Sequence, residues 1–285
     1  MWHLDPNPQV AGQGRDTLQR SQISVRVGVL AQQCEELNRP FFYWMRTGLP
    51  YVTLKLATSV DGRLGPRASA WMTSEAARHD VHRQRARVDA ILTTATTVLA
   101  DNPQLTVREG LSGCQPGLRQ PLRVVLDRHN RLNHAHTYHV LNPHQAPTVC
   151  VVGQMADLPS RLDNVNDSTV AEDCPRVERI TAPQRGAGFD LEAVLRQLAQ
   201  HHGVSHLWVE AGGTLAGSLL SGQWVNRLRL YTAPYIIGDT AAPATVSGLL
   251  CGSLQQAIGL NILSHQWLET TQVLDAEPLY PDFVG

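Results

Sequence analysis

Three polar clusters in this 285-residue chain each follow a short apolar run, the place where an α/β protein gathers its ligands. After YVTLKLATSV come Ser59, Asp61, Gly62 and Arg63, then Ser69 and Trp71. After DAILTTA come Thr97, Asp101, Asn102, Leu105 and Arg108. After HLWVE come Gly212, Gly213, Thr214, Leu215, Ala216, Gly217 and Ser218, with Glu210 closing the apolar run itself. Glycines ahead of a helix start let an anion approach backbone N–H groups. They equally suit a tight packing turn, and their spacing is not the GxGxxG of a first Rossmann βαβ unit. Arg108 offers planar donors to an anion. Arg85, in RQRAR, is either part of a solvated basic face or, paired in space with Arg108, one jaw of a phosphate clamp. Asp101 either accepts a hydrogen bond from a ligand or caps a helix at an Asp-Asn-Pro turn. Glu210 needs a partner to be buried, and a substrate donor, a helix start or an arginine would serve. Trp71 packs in the core or stacks on a flat heterocycle.

The bulk composition narrows the partners. With 24 basic and 25 acidic residues, the chain has no field to attract nucleic acid or an anionic membrane. Its 5 cysteines contain no CxxC pair, which argues against both a disulfide framework and a tetrahedral zinc site. His79 and His82 share a helix face without an acidic or cysteine ligand beside them, so no metal is expected. The N-terminus lacks a signal-peptide pattern and no apolar run is long enough to span a bilayer, which makes cytoplasm the expected location.

The elements that must position these clusters alternate along the chain. Residues 12–21 read as a short helix, ISVRVGV at 23–29 as a strand, and 31–45 as a helix ended by the glycine and proline of MRTGLP. Strands are expected at 51–60, 89–95, 122–127, 148–153 and 206–210, and in NRLRLYTAPYIIG. Helices are expected after Ser74, over 189–203 and in TLAGSLLSGQW, whereas 97–108 reads as a loop and 155–176 as polar and turn-rich. Short strands alternating with helices predict an α/β sheet covered by helices.

From about Phe41 to Gly252, and more loosely to the end, the sequence resembles the reductase domain of the bifunctional riboflavin biosynthesis deaminase/reductase. The resemblance rests on YVTLKLATSVDGR at 51–63, WMTSEAARHDVHRQRARVDAILTTATTVLADNPQLTVR at 71–108, PLRVVLDRHNRL at 121–132 and LWVEAGGTLAGSLL at 207–220. It implies an α/β, dihydrofolate-reductase-like fold over 47–285, with a mostly parallel central sheet and flanking helices. It also implies NADPH-dependent reduction of 5-amino-6-(5-phosphoribosylamino)uracil to the ribitylamino product, in a homodimer. Carried residue by residue, it assigns the cofactor to Ala57, Trp71, Thr97, Asp101 and the run from Gly212 to Ser218. It assigns the substrate to Ser69, Arg85, Leu105, Arg108 and Glu210, with the two arginines on the 5-phosphate. Asp101 is the side chain expected near the proton-transfer step.

Two departures from the family pattern stand out. GRLGPRASA at 62–70 is shorter than the usual loop, and Arg128 stands where the family commonly has a serine near the cofactor. Arg128 would either contact the 2'-phosphate of NADPH or obstruct its pocket. Residues 5–38 resemble the tail of the deaminase domain, yet HxE followed by PCxxC is missing from the sequence. Residues 1–46 are therefore expected to be a deaminase remnant and junction that supports the fold without deamination. A related reading is a reductase of another pyrimidine or pterin-like substrate. A different one is a non-catalytic partner of a separate deaminase.

Overall fold

The computed structural model describes residues 6–7, 10–65, 71–108, 119–132, 138–154 and 177–281. The chain divides into two compact units, residues 1–51 with 195–206 and residues 52–194 with 207–285.

The first unit carries α1 (Gln13–Arg20), α2 (Ala31–Leu37) and α3 (Arg39–Thr47). The single helix expected over 31–45 is two, because Pro40 has no N–H to continue the ladder and instead occupies the first turn of α3. Asn38 makes the break, its Nδ2 donating to the carbonyl of Cys34 at 3.0 Å. Gly48, at φ 68°, ends α3 in the left-handed conformation that glycine adopts without a Cβ clash. The strand expected at 23–29 does not form. ISVRVGV has the alternation of a strand, but Ile23, Val27 and Val29 stay exposed, and a strand needs a partner for its backbone groups.

The second unit is built on a nine-stranded sheet, in the order β10-β11-β9-β1-β8-β2-β3-β4-β5. Its parallel body consists of β1 (Tyr51–Ser59), β2 (Ala90–Thr94), β3 (Leu122–Leu126), β4 (Thr148–Val152), β5 (Glu178–Thr181), β8 (His206–Glu210) and β9 (Arg227–Ala233). The central strands β2, β3, β4 and β8 are short, mostly apolar runs because a parallel strand is buried on both faces, whereas β5 at the edge is largely exposed. Antiparallel β11 (Thr271–Leu279) and β10 (Gly259–Leu268) complete one edge. β6 (Gln184–Arg185) and β7 (Gly188–Phe189) form a small separate hairpin.

Helices α4 (Glu75–Arg85), α5 (Ala95–Asp101) and α7 (Gly213–Ser221) belong to this unit, while α6 (Leu191–His202) has most of its length in the first. Ser74 caps α4 as expected, its hydroxyl accepting from the N–H of Ala77 at 3.3 Å. The loop expected from 97 begins instead as α5, whose start is capped by Thr94 and whose end is turned by Asn102 at φ 40° ahead of Pro103. One face of the sheet buries Ile91, Val98, Leu105, Val125, Leu132, Leu141, Cys150 and Trp208 in a single cluster. Among the described residues no helix is long and apolar enough to cross a membrane.

Candidate active site

Glu210 closes β8 beside the carboxyl edge of the sheet, and its two oxygens are both taken by Arg85 from the last turn of α4. Arg85 Nε donates to Oε1 at 2.6 Å and Nη2 to Oε2 at 2.9 Å, while Nη1 reaches the carbonyl of Thr106 at 3.1 Å. Trp208 Nε1 adds a third donor to Glu210, at 2.8 Å. Burial works against the Glu210 anion, but the Arg85 charge and its hydrogen bonds outweigh that, and Lys55 and Trp208 help, so the pKa falls to about 2. Lys55 lies on β1, between β8 and β9, with its Nζ 5.9 Å from the centre of the Tyr231 ring. Its surroundings lower its pKa: burial acts most, Glu210 opposes and Arg85 adds to the fall.

The segment that follows α5 is held from three sides. Arg123, fully buried on β3, donates to the carbonyl of Gln104 at 3.2 Å. Gln120 brackets Val107 through both its N–H and its carbonyl, at 2.8 and 2.9 Å. His82 Nδ1 accepts from the N–H of Arg108 at 3.2 Å. That bond requires a lone pair, and burial with the charges of Arg85 and Arg108 pushes the His82 pKa down to about 4. Between these anchors Leu105 is buried at φ 50°, a left-handed conformation costly for a branched side chain. The next carbonyl, that of Thr106, is the one that accepts from Arg85. Arg108 then emerges with an exposed side chain.

A rim of loops runs along the carboxyl ends of β1, β9 and β8. Asp61 accepts from Ser59 Oγ at 2.6 Å and from the N–H groups of Ile237 and Gly238 at 3.0 and 2.7 Å, which binds the exit of β1 to that of β9. Leu64 and Thr245 continue the lacing, through N–H bonds to the carbonyls of Pro243 and Gly62. The Ser247 N–H reaches the carbonyl of Gly213 at 3.1 Å. A Cβ on Gly213 would sit 2.2 Å from the Ala244 carbonyl oxygen, and one on Gly217 1.7 Å from that of Ser247. Those two glycines are therefore required by packing against 244–247. Gly212 differs, with nothing within 4 Å of a Cβ there, and as N-cap it leaves the start of α7 without a side-chain cap. An open, uncapped helix start of this kind suits a phosphate or pyrophosphate.

Residues 50–269 match the family model described as the RibD C-terminal domain. The chain belongs to the RibD C-terminal domain family. It is similar to the riboflavin biosynthesis protein RibD of Escherichia coli, 38% identical over 256 residues covering 86% of this chain and 65% of that protein. It is also similar to the RibD of Bacillus amyloliquefaciens, 39% identical over 246 residues covering 86% and 62%. The chain thus spans somewhat less than two thirds of the length of these relatives. Among solved structures, Acinetobacter baumannii RibD superposes with a TM-score of 0.81 at 30% identity, over 96% of this chain and 71% of that one. A Thermotoga maritima protein described as a diaminohydroxyphosphoribosylaminopyrimidine deaminase/5-amino-6-(5-phosphoribosylamino)uracil reductase gives 0.76 at 25% identity, over 97% and 70%. The RibD C-terminal fold, a mostly parallel sheet with flanking helices, is the one found here.

Against that RibD C-terminal domain, the residues singled out in the sequence separate into groups. Arg85 and Glu210 form one buried ion pair, and Leu105, on the same segment as Arg108, packs in the apolar cluster that contains Trp208. Arg85 is bound to Glu210, whereas the Arg108 side chain is exposed. Ala57 is two residues beyond Lys55 on the same strand face, opposite Tyr231. Thr97 lies in the first turn of α5, its N–H capped by Thr94. Asp101 ends that helix, exposed and roughly 9 Å along it from the strand edge, and among the described residues it makes no hydrogen bond to Lys55, Arg85 or Glu210. Trp71 is exposed, with the Arg78 guanidinium 5.7 Å from its ring centre. Arg128, at the carboxyl end of β3, donates to the carbonyl of Ala187 in the turn of the β6–β7 hairpin. Ser69 lies outside the described residues.

Lys55 was not singled out in the sequence, although a signal was there. It is the only lysine in the chain, every other one of the 24 basic residues being arginine. Arginine cannot give up its proton in a protein, whereas a lysine in low-dielectric surroundings does so readily. Among the described residues no group of three or more His, Cys, Asp or Glu is placed to hold a metal.

Proposed function

We propose that this chain reduces the ribosyl group of 5-amino-6-(5-phosphoribosylamino)uracil to the ribityl form with NADPH. The observation that carries the reading is the Lys55–Glu210–Arg85 group: a lone lysine and a buried carboxylate beside an open helix start, in a chain of this family. The residues present fit the cofactor, because the N–H groups at the start of α7 and the open space at Gly212 suit its phosphates. Ala57, Trp71, Thr97, Asp101 and Arg128 are assigned to the same molecule, and Ser69 and Leu105 to the substrate. When bound, NADPH would supply the hydride that reduces C1 of the ring-opened sugar.

The chain's own residues do the rest. Arg108, fixed through its backbone by His82, takes the 5-phosphate by charge-assisted hydrogen bonds. Binding energy from that phosphate orients a reaction centre some distance away. Arg85 holds Glu210 ionised and in one orientation. Glu210, kept ionised, favours the Lys55 ammonium, and from Lys55 the proton passes to the substrate nitrogen as the C=N bond becomes the amine. The proton role expected of Asp101 moves to this pair, since Asp101 sits at the far end of α5; Asp101 is kept as a ligand contact.

The test is NADPH oxidation by the purified chain with the phosphorylated substrate, with NADH for comparison. Substrate-dependent consumption that falls about 100-fold or more in Lys55→Met and Glu210→Gln is the expected result. NADPH binding without consumption would overturn the substrate, and undiminished turnover in both variants would overturn the roles of Lys55 and Glu210.

Residues 1–46 are assigned as deaminase-like sequence and junction, a cytoplasmic location is part of the same reading, and two copies of the chain pair through β10. Residues 240–268 contain no Asp, Glu, Lys or Arg. In that stretch Leu250, Leu254, Ile262 and Trp267 are 98%, 86%, 61% and 62% exposed. Solvent-facing edge strands ordinarily carry charges or proline that prevent pairing, and β10 carries neither. With the segment before it, β10 supplies most of the roughly 20 residues a side that a standard interface uses.

A further inference from the structure

Lys55 stands between two clamps made by one helix. β1 lies between β9 and β8, with Lys55 opposite Arg229 and Ala57 opposite Tyr231, so that the four residues share a sheet face. Asp80 of α4 reaches β9 on that face. Its Oδ2 accepts from the Tyr231 hydroxyl at 2.6 Å and from Arg229 Nη2 and Nε at 2.8 and 3.1 Å. Arg85, five residues further along α4, grips Glu210 at the end of β8. Asp275 of β11 takes Arg229 Nη1 at 2.6 Å and is itself paired with Arg227. Asp80, Tyr231, Arg229 and Asp275 are all buried, and the reaction as described uses none of them.

Stability does not account for such a group, since apolar residues of similar shape would be about as stabilising as a buried ion-pair network. Geometry relative to Lys55 does. An uncompensated Arg229 directly opposite Lys55 would repel it, and two carboxylates neutralise that guanidinium. The face of the Tyr231 ring lies 5.9 Å from the Lys55 Nζ, within the range in which an aromatic quadrupole attracts an ammonium. The ring itself is fixed by its hydroxyl on Asp80.

We infer that Tyr231 and Asp80 are positioning residues for Lys55, Tyr231 by offering its ring face to the ammonium and Asp80 by anchoring that ring and masking Arg229. The inference rests on the reading of Lys55 as part of the reaction centre. The ionisable groups around Lys55 are Glu210 from β8 and Arg85 from α4, and Arg229 and Tyr231 from β9, with Asp80 and Asp275 on Arg229.

Because Lys55 is the sole lysine, protein labelled with isotopic lysine reports one side chain by NMR. Its titration is followed in the wild-type chain, Tyr231→Phe, Tyr231→Leu and Asp80→Asn, alongside the pH profile of kcat. Removing the ring in Tyr231→Leu is expected to move the Lys55 titration down by roughly half a pH unit or more, with the basic limb of kcat following. Asp80→Asn is expected to move both in the same direction through loss of compensation at Arg229, while Tyr231→Phe, which keeps the ring, shifts them less. A Lys55 titration unchanged in both Tyr231→Leu and Asp80→Asn overturns the inference, whatever happens to the melting temperatures. If Tyr231→Leu does not fold, Asp80→Asn decides by the same criterion. A titration that moves while the kcat limb stays in place leaves the positioning intact and removes Lys55 from the reaction.

Discussion

Replacing Arg85 by methionine strips Glu210 of its bidentate partner while leaving the carboxylate enclosed, with side-chain exposures of only 11% and 13% for the two residues. The magnitude follows from the pKa. Glu210 falls from 4.5 to about 2, so the fold favours its anion by about 3 kcal/mol. Loss of one partner from a buried pair costs a similar amount, because the remaining charge is left uncompensated. Arg85→Met is therefore expected to lose about 3 kcal/mol in urea unfolding at pH 7. The double variant Arg85→Met/Glu210→Gln, which removes both charges, is expected to recover about 2 kcal/mol of that. A depressed carboxylate pKa contributes fully above the unfolded value and is lost as pH falls through the folded one. The gap between wild type and Arg85→Met should accordingly close between pH 4.5 and about 2. Single-variant losses that simply add, or a gap independent of pH over that window, would refute the argument that Arg85 is what keeps Glu210 ionised.

His82 is held neutral, with its pKa moved from 6.5 to about 4, so the fold loses about 3 kcal/mol as pH drops across that interval. His82→Gln, which can still accept from the Arg108 N–H, should flatten the dependence of the urea midpoint on pH there, and an unchanged slope would count against it. Gly217→Ala places a Cβ against the Ser247 carbonyl and is expected to cost about 1–3 kcal/mol and lower the melting temperature. Ile262→Lys and Ile262→Glu should each be monomeric by light scattering at concentrations where the wild type is dimeric. A monomeric wild type, or dimers that survive both substitutions, would remove β10 from the interface.

Six of the seven parallel strands were legible in the sequence because each is a short, largely apolar run between turn signals, as in TVCVV or HLWVE, and such runs need no knowledge of their neighbours; β5 was not, because its four residues are mostly exposed and only pairing with β4 makes them a strand. The same holds for Ser74 as a helix cap and for Gly48 and Gly203 as helix ends, where one residue's backbone chemistry decides. ISVRVGV misled because alternation describes a strand's faces and says nothing about whether a partner exists. β10 escaped for the complementary reason: nearly all of it is exposed, so it carries no core pattern, and only its pairing with β11 makes it a strand.

Residue types and family motifs singled out Arg85, Leu105, Arg108 and Glu210 together. They did not determine who pairs with whom. Arg85 is 125 positions from Glu210 in the chain, and only the crossing of α4 over the end of β8 makes it that residue's counter-ion. Lys55 looks like an ordinary polar interruption of an apolar strand until β8 and β9 flank it. Its pKa is lowered by desolvation and by the Arg85 charge, against the pull of Glu210, and all of these surroundings are brought in by other elements. Composition set the kinds of groups available; long-range packing set their charges, because electrostatic energy depends on distance through space and on what excludes water.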